Sequence, residues 1–67
     1  MPIITVNILS GRDRARKRLL VQELSAAAVR ALDVPLASVR IIINEMPPEH
    51  FGVGGETSAD IKAKTQE

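Results

Sequence analysis

The chain has no cysteine, tryptophan or tyrosine, and its single aromatic residue is Phe51. Without cysteine, neither a disulfide framework nor a cysteine-based zinc site can supplement a small core. With one aromatic ring there is almost nothing for nucleobases to stack on, which argues against a nucleic-acid surface. Nine Lys and Arg against eight Asp and Glu leave a net charge of +1, so no overall field draws the protein to nucleic acid or to an anionic membrane. No apolar run approaches bilayer-spanning length, and the opening MPIITVNILSGRDR lacks the basic, apolar and small-residue regions of a secretion signal. The expected location is the cytoplasm.

Sixty-seven residues make one domain, 1–67, and a chain this short buries a low fraction of its surface. With disulfides and cysteine-bound zinc excluded, oligomerisation is the support that remains. Residues 3–9 are dominated by β-branched side chains and end at Ser10-Gly11, a strand followed by a turn. From Asp13 to Leu32, Leu20, Leu24, Ala27, Ala28 and Ala31 recur on one helical face, and Pro35 forbids much continuation. Residues 39–46 form a second strand, closed by Pro47-Pro48. Phe51 to Gly55 suggests a tight turn or short hairpin, and the remainder reads as a polar tail, 57–67, with one helical turn after Ser58.

A helix of about twenty residues returns the chain roughly 30 Å to its starting edge. The two strands therefore lie parallel in a right-handed βαβ unit. The predicted class is α/β (α+β): a βαβ unit with parallel strands plus a short C-terminal hairpin. Apolar residues alternate onto both sheet faces, yet one helix covers only one face, and a two-stranded sheet has open edges. Both features predict a homo-oligomer whose sheets assemble across subunits.

The residue with most chemical potential is Pro2. Removal of Met1, which a small second residue permits, would leave a secondary amine at the head of a strand; a retained Met1 would make that nitrogen an unreactive amide. Nearby cations or burial disfavour the charged form of such an amine and poise it as a general base. Taken alone, Pro2 is better explained as the first residue of an edge strand. Arg12 and Arg40 add a second element, since guanidinium groups bind carboxylates bidentately and stabilise developing enolate charge. Arg40 begins the second strand, at the same edge as Pro2, where its side chain can serve that Pro2 or a neighbouring subunit's site. Arg12 lies past the far end of the first strand, roughly 25 Å from Pro2 by strand rise. It can approach a Pro2 only on another subunit whose strand runs antiparallel to its own.

The ordered set Pro2, Ile8-Leu9-Ser10-Gly11-Arg12, Pro35-Leu36-Ala37-Ser38-Val39-Arg40, Glu45-Met46 and His50-Phe51-Gly52-Val53-Gly54-Gly55 resembles the 4-oxalocrotonate tautomerase family over about residues 2–56. The resemblance implies a tautomerase/MIF-like fold and a hexamer built as a trimer of dimers. It also implies a cytoplasmic isomerase of aromatic-hydrocarbon catabolism that carries protons within a dienol such as 2-hydroxymuconate, without metal or other cofactor. By the same resemblance Pro2 is the base, and Arg12 and Arg40 come from other subunits to grip a small-molecule carboxylate substrate and polarise its 2-oxo group. Phe51 supplies an apolar wall, and the backbone near Leu9 helps to position substrate.

The tail departs from the family pattern, ending in Glu67 where a typical member is basic. Arg14, Arg16 and Arg18 make the helix start unusually basic, and their simplest reading is a solvated face. Glu45 and Glu49 lack the His or Asp spacing of a metal site, His50 has no evident catalytic partner, and Gly52, Gly54 and Gly55 fit turn geometry better than a phosphate loop. Two readings from other classes stand beside the enzyme: a non-catalytic or partner-completing subunit of a tautomerase-fold oligomer, and a small nucleic-acid module using the basic segment. Within the enzyme class, a protonated Pro2 amine could instead serve hydration or dehalogenation.

Overall fold

Seven β-branched or long apolar and amide residues with no glycine or proline among them form the first strand, β1, Ile3–Leu9. A computed structural model describes residues 1–65 of the chain. After β1 comes the helix α1, Arg14–Leu32, whose first turn is capped by Asp13: its Oδ1 accepts a hydrogen bond from the Arg16 amide at 2.8 Å. The helix stops at Asp33, which adopts a left-handed conformation (φ 55°, ψ 53°) and donates its N–H to the Val29 carbonyl at 3.0 Å. Pro35 opens a 3-10 turn, Leu36–Ser38, which leads into β2, Arg40–Met46.

Strands β1 and β2 pair in parallel with Ile3 opposite Arg40 and Leu9 opposite Met46, so the expected βαβ unit is present. Ile4, Val6 and Ile8 share one face with Ile41 and Ile43, and all five are half-buried under α1. From the helix, half-buried Lys17, Leu20 and Leu24 and the buried Ala28 lie along the inner stripe. Ala27 and Ala31, expected on that stripe, are exposed. Lys17 takes a place at its end because its ammonium reaches Glu45 Oε1 at the tip of β2, 2.9 Å away.

Past β2, a second 3-10 turn, Pro48–His50, precedes a hairpin of β3, Gly52–Val53, and β4, Glu56–Thr57. Its two-residue loop, Gly54-Gly55, has positive φ at both positions (60° and 90°), the requirement of the tight hairpin turn whose twist matches paired strands. The segment expected to hold one helical turn forms a two-turn helix, α2, Ser58–Thr65. Thr57 Oγ1 accepts from the Asp60 amide at 3.2 Å, and Ala59 and Ala63 are strong helix formers, which together extend it. Gln66 and Glu67, the end of the tail, lie outside the described residues.

The chain does not close on itself. Among the described residues only Ala28 is buried. The radius of gyration is 15.5 Å, against about 11 Å for a compact chain of this length. The accessible surface is 5174 Å², where a compact monomer of this mass exposes about 4,200 Å². The excess has two sources. The second sheet face, with Ile3, Thr5, Asn7, Ile42 and Asn44, is uncovered, and the hairpin with α2 packs mainly on itself and on the turn at Pro48–His50.

Candidate active site

The parallel register sets the position of Pro2. Its carbonyl accepts a hydrogen bond from the Arg40 amide at 2.9 Å, so the head of β1 and the head of β2 are tied together. The Arg40 guanidinium is held back toward the preceding turn by a 2.7 Å bond from Nη1 to the Ala37 carbonyl. That turn is itself fixed by Ser38 Oγ donating to the Pro35 carbonyl at 2.7 Å and by the Val39 amide donating to Leu36 at 3.1 Å. One anchored hydrogen bond leaves most of the five guanidinium N–H groups open toward an incoming carboxylate. Pro2 is half-buried and Arg40 exposed.

The other end of the sheet carries Leu9 and Arg12. The Ser10 amide donates to the Met46 carbonyl at 2.8 Å, which ends the pairing, and Gly11 (φ 125°) then turns the chain where a side chain would be strained. This turn sets Arg12 beside the strand end, with Nη1 3.5 Å from the Leu9 carbonyl, a long and weak contact. Seven strand residues separate the two ends, roughly 23 Å by strand rise. Within one chain, Pro2 and Arg40 are together, Leu9 and Arg12 are together, and the two pairs are apart. Phe51 belongs to neither pair. It sits at the base of the hairpin arm with its amide bonded to Pro48 and its carbonyl accepting from the Ser58 amide at 2.7 Å, while the residue is 43% exposed.

Beside Arg12 lies a groove of about 300 Å³ between the end of β1 and the first half of α1. Ile8, Leu19 and Leu20 give it an apolar lining, and Arg12, Arg16 and Lys17 a basic one; Glu23 is its acidic member. Sequence reading did not single out Arg16 from its basic neighbours. No local signal marked it, because Arg12 precedes the cap of α1 and helical spacing does not relate the two residues. The Lys17–Glu45 pair and the Asn44 Nδ2 to Asn7 Oδ1 bond of 3.2 Å across the open face were also missed, because both depend on strand register.

A βαβ chain with an open sheet face, a proline heading β1 and an arginine heading β2 invites comparison with known enzymes. The family model described as tautomerase enzyme matches residues 2–61. The 2-hydroxymuconate tautomerase of Stutzerimonas stutzeri is 52% identical over 61 residues, 91% of this chain and 97% of that one. A 4-oxalocrotonate tautomerase isozyme structure from Methylibium petroleiphilum superposes with a TM-score of 0.90 at 48% identity, covering 94% of this chain and 98% of its own. The heterohexameric 4-oxalocrotonate tautomerase of Chloroflexus aurantiacus gives 0.87 at 48% identity, covering 91% and 98%. The chain belongs to the tautomerase family. It is an enzyme, an isomerase of the 4-oxalocrotonate tautomerase type.

Proposed function

We propose that this chain, acting as the single domain 1–67, is a cofactor-independent tautomerase for an unsaturated 2-oxo dicarboxylate such as 2-hydroxymuconate, with the Pro2 amine as general base once Met1 is removed. The amine takes a proton from the 2-hydroxyl of the dienol, or from C3 of the unconjugated 2-oxo isomer. Electron density moves along the diene, and the same proton is returned to C5 to give the conjugated 2-oxo acid. One O–H or C–H bond breaks, one C–H bond forms and no net oxidation occurs, so the step needs a base and charge stabilisation only.

Arg40 and Arg12 grip the two carboxylates, and a guanidinium at the 2-oxo group holds the enolate charge as it develops. The Leu9 backbone orients the substrate and the Phe51 ring supplies an apolar wall that favours the neutral amine. The observation that carries this reading is membership of the tautomerase family together with a proline heading β1 and an arginine heading β2, their backbones joined by a 2.9 Å bond at one sheet edge from which the Arg40 guanidinium can serve a neighbouring chain's Pro2. The separation of Arg12 from that pair supports a site shared between chains, and the uncovered apolar sheet face supports a homohexamer arranged as a trimer of dimers. The working location is the cytoplasm.

The test is the rate of 2-hydroxymuconate ketonisation by protein whose intact mass lacks Met1, beside Pro2→Ala prepared the same way. Losing a positioned base lowers kcat/KM by about 10²–10⁴-fold. Equal rates for the two proteins would overturn the assignment of Pro2.

A further inference from the structure

Arg16 lines the same groove as Arg12, and among the described residues its guanidinium forms no ion pair. Asp13, the nearest carboxylate in sequence, receives the Arg16 backbone amide at 2.8 Å as the helix cap. Lys17, the third cation of the groove, is neutralised by Glu45 at 2.9 Å. Glu23 lies seven residues further along α1, about 10 Å by helical rise, and among the described residues neither Arg12 nor Arg16 has a carboxylate within ion-pair distance. A groove with an apolar lining of Ile8, Leu19 and Leu20 and two guanidinium groups without ion pairs fits a carboxylate at the end of a short unsaturated carbon chain.

We infer that Arg16 is a specificity-determining residue: with Arg12 it forms a two-guanidinium clamp on one carboxylate of the substrate and makes the enzyme select dianions over monoanions. The inference rests on the proposed tautomerase reading for the role of Arg12, and adds to it a residue of the basic segment. Arg14 and Arg18 belong to the same segment but do not line the groove, so the selection belongs to Arg16 and not to the charge of the helix start as a whole. A single arginine already binds a carboxylate bidentately; a second engages the outer lone pairs and raises the cost of a substrate that lacks the group, because two cations then face each other without an anion.

The experiment compares 2-hydroxymuconate with 2-hydroxypenta-2,4-dienoate, the same enol without the far carboxylate, as substrates of the wild type, Arg16→Gln, Arg16→Lys, Arg14→Gln and Arg18→Gln. Arg16→Gln is expected to raise KM for the dicarboxylate about tenfold with a much smaller change in kcat, and to compress the dianion-to-monoanion ratio of kcat/KM by a similar factor. Arg16→Lys should recover most of that ratio, whereas Arg14→Gln and Arg18→Gln, which lie outside the groove, should move it less than about twofold. Equal effects of the three glutamine variants, or equal effects of Arg16→Gln on both substrates, would overturn the inference. Calorimetric binding of cis,cis-muconate separates this claim from the one beneath it. If the Met1-free wild type is inactive yet binds muconate more tightly than Arg16→Gln does, the tautomerase reading fails and the clamp stands; if both proteins bind muconate alike, the clamp fails.

Discussion

Replacing Ile3 and Ile42 by threonine tests the uncovered sheet face. The two side chains lie on the face opposite α1, are 53% and 47% exposed in the single chain, and sit in neighbouring strands. Their exposed fractions together amount to one isoleucine side chain, whose full burial is worth about 1.5–3 kcal/mol. In a self-complementary contact the loss occurs once per copy, so a pair of chains loses roughly 3–6 kcal/mol. At 1.4 kcal/mol per tenfold, association weakens by about 10²–10⁴. Threonine keeps β-branching, so the strands themselves should persist. Sedimentation velocity over a dilution series, with circular dichroism as a check on folding, reads the result. The double variant should dissociate at protein concentrations where the wild type remains assembled, and its tautomerase activity should fall on dilution. A wild type that sediments as a 7.3 kDa species, or a double variant as tightly associated as the wild type, would refute the reasoning.

Three further outcomes follow from local geometry. Asp13→Ala removes the 2.8 Å cap of α1 and should cost about 1 kcal/mol, read by chemical denaturation, with a loosened helix start beside Arg12. Asp33→Gly relieves a non-glycine residue held at φ 55° and should stabilise by roughly 1 kcal/mol, seen as a higher melting temperature. Lys17→Met breaks the ion pair with Glu45, whose partners are each one-third exposed; after solvent screening the expected loss is below about 1 kcal/mol, and a larger one would assign that pair a role in the assembly.

The elements were legible because their signals were local. β1 coincides with its expected span, and α1 begins one residue late because Asp13 serves as the cap instead of the first helical residue. β2 likewise begins at Arg40, since Val39 closes the preceding turn through its bond to Leu36. The uncovered face was foreseeable from isoleucines on alternate positions of both strands. The exposure of Ala27 and Ala31 was not, because alanine has too little surface to reveal which part of a wide apolar arc faces the sheet. The full length of α2 was hidden by its polarity: Lys62, Lys64 and Asp60 interrupt any apolar period, and its hold on the fold runs through Thr57 and the Lys64–Glu56 pair.

Of the candidate site, the neighbourhood of Pro2 and Arg40 could be read from parallel pairing alone, and the structure has them joined. The distance to Arg12 was legible by the same arithmetic. What the sequence could not supply was the groove beside Arg12 and the reason Arg16, unlike Arg14 and Arg18, belongs to it. That depends on the angle at which α1 leaves Gly11 and crosses the end of β1.

The measurement closest to the central claim mixes two inactive variants. Pro2→Ala and Arg12→Ala proteins, dissociated together and reassembled, should regain activity that neither has alone, because a site drawing its base and its arginine from different chains is intact in about a quarter of random assortments within a symmetric oligomer. If the reassembled mixture forms mixed oligomers by mass and remains as inactive as its parts, base and arginine come from one chain and the shared site is wrong.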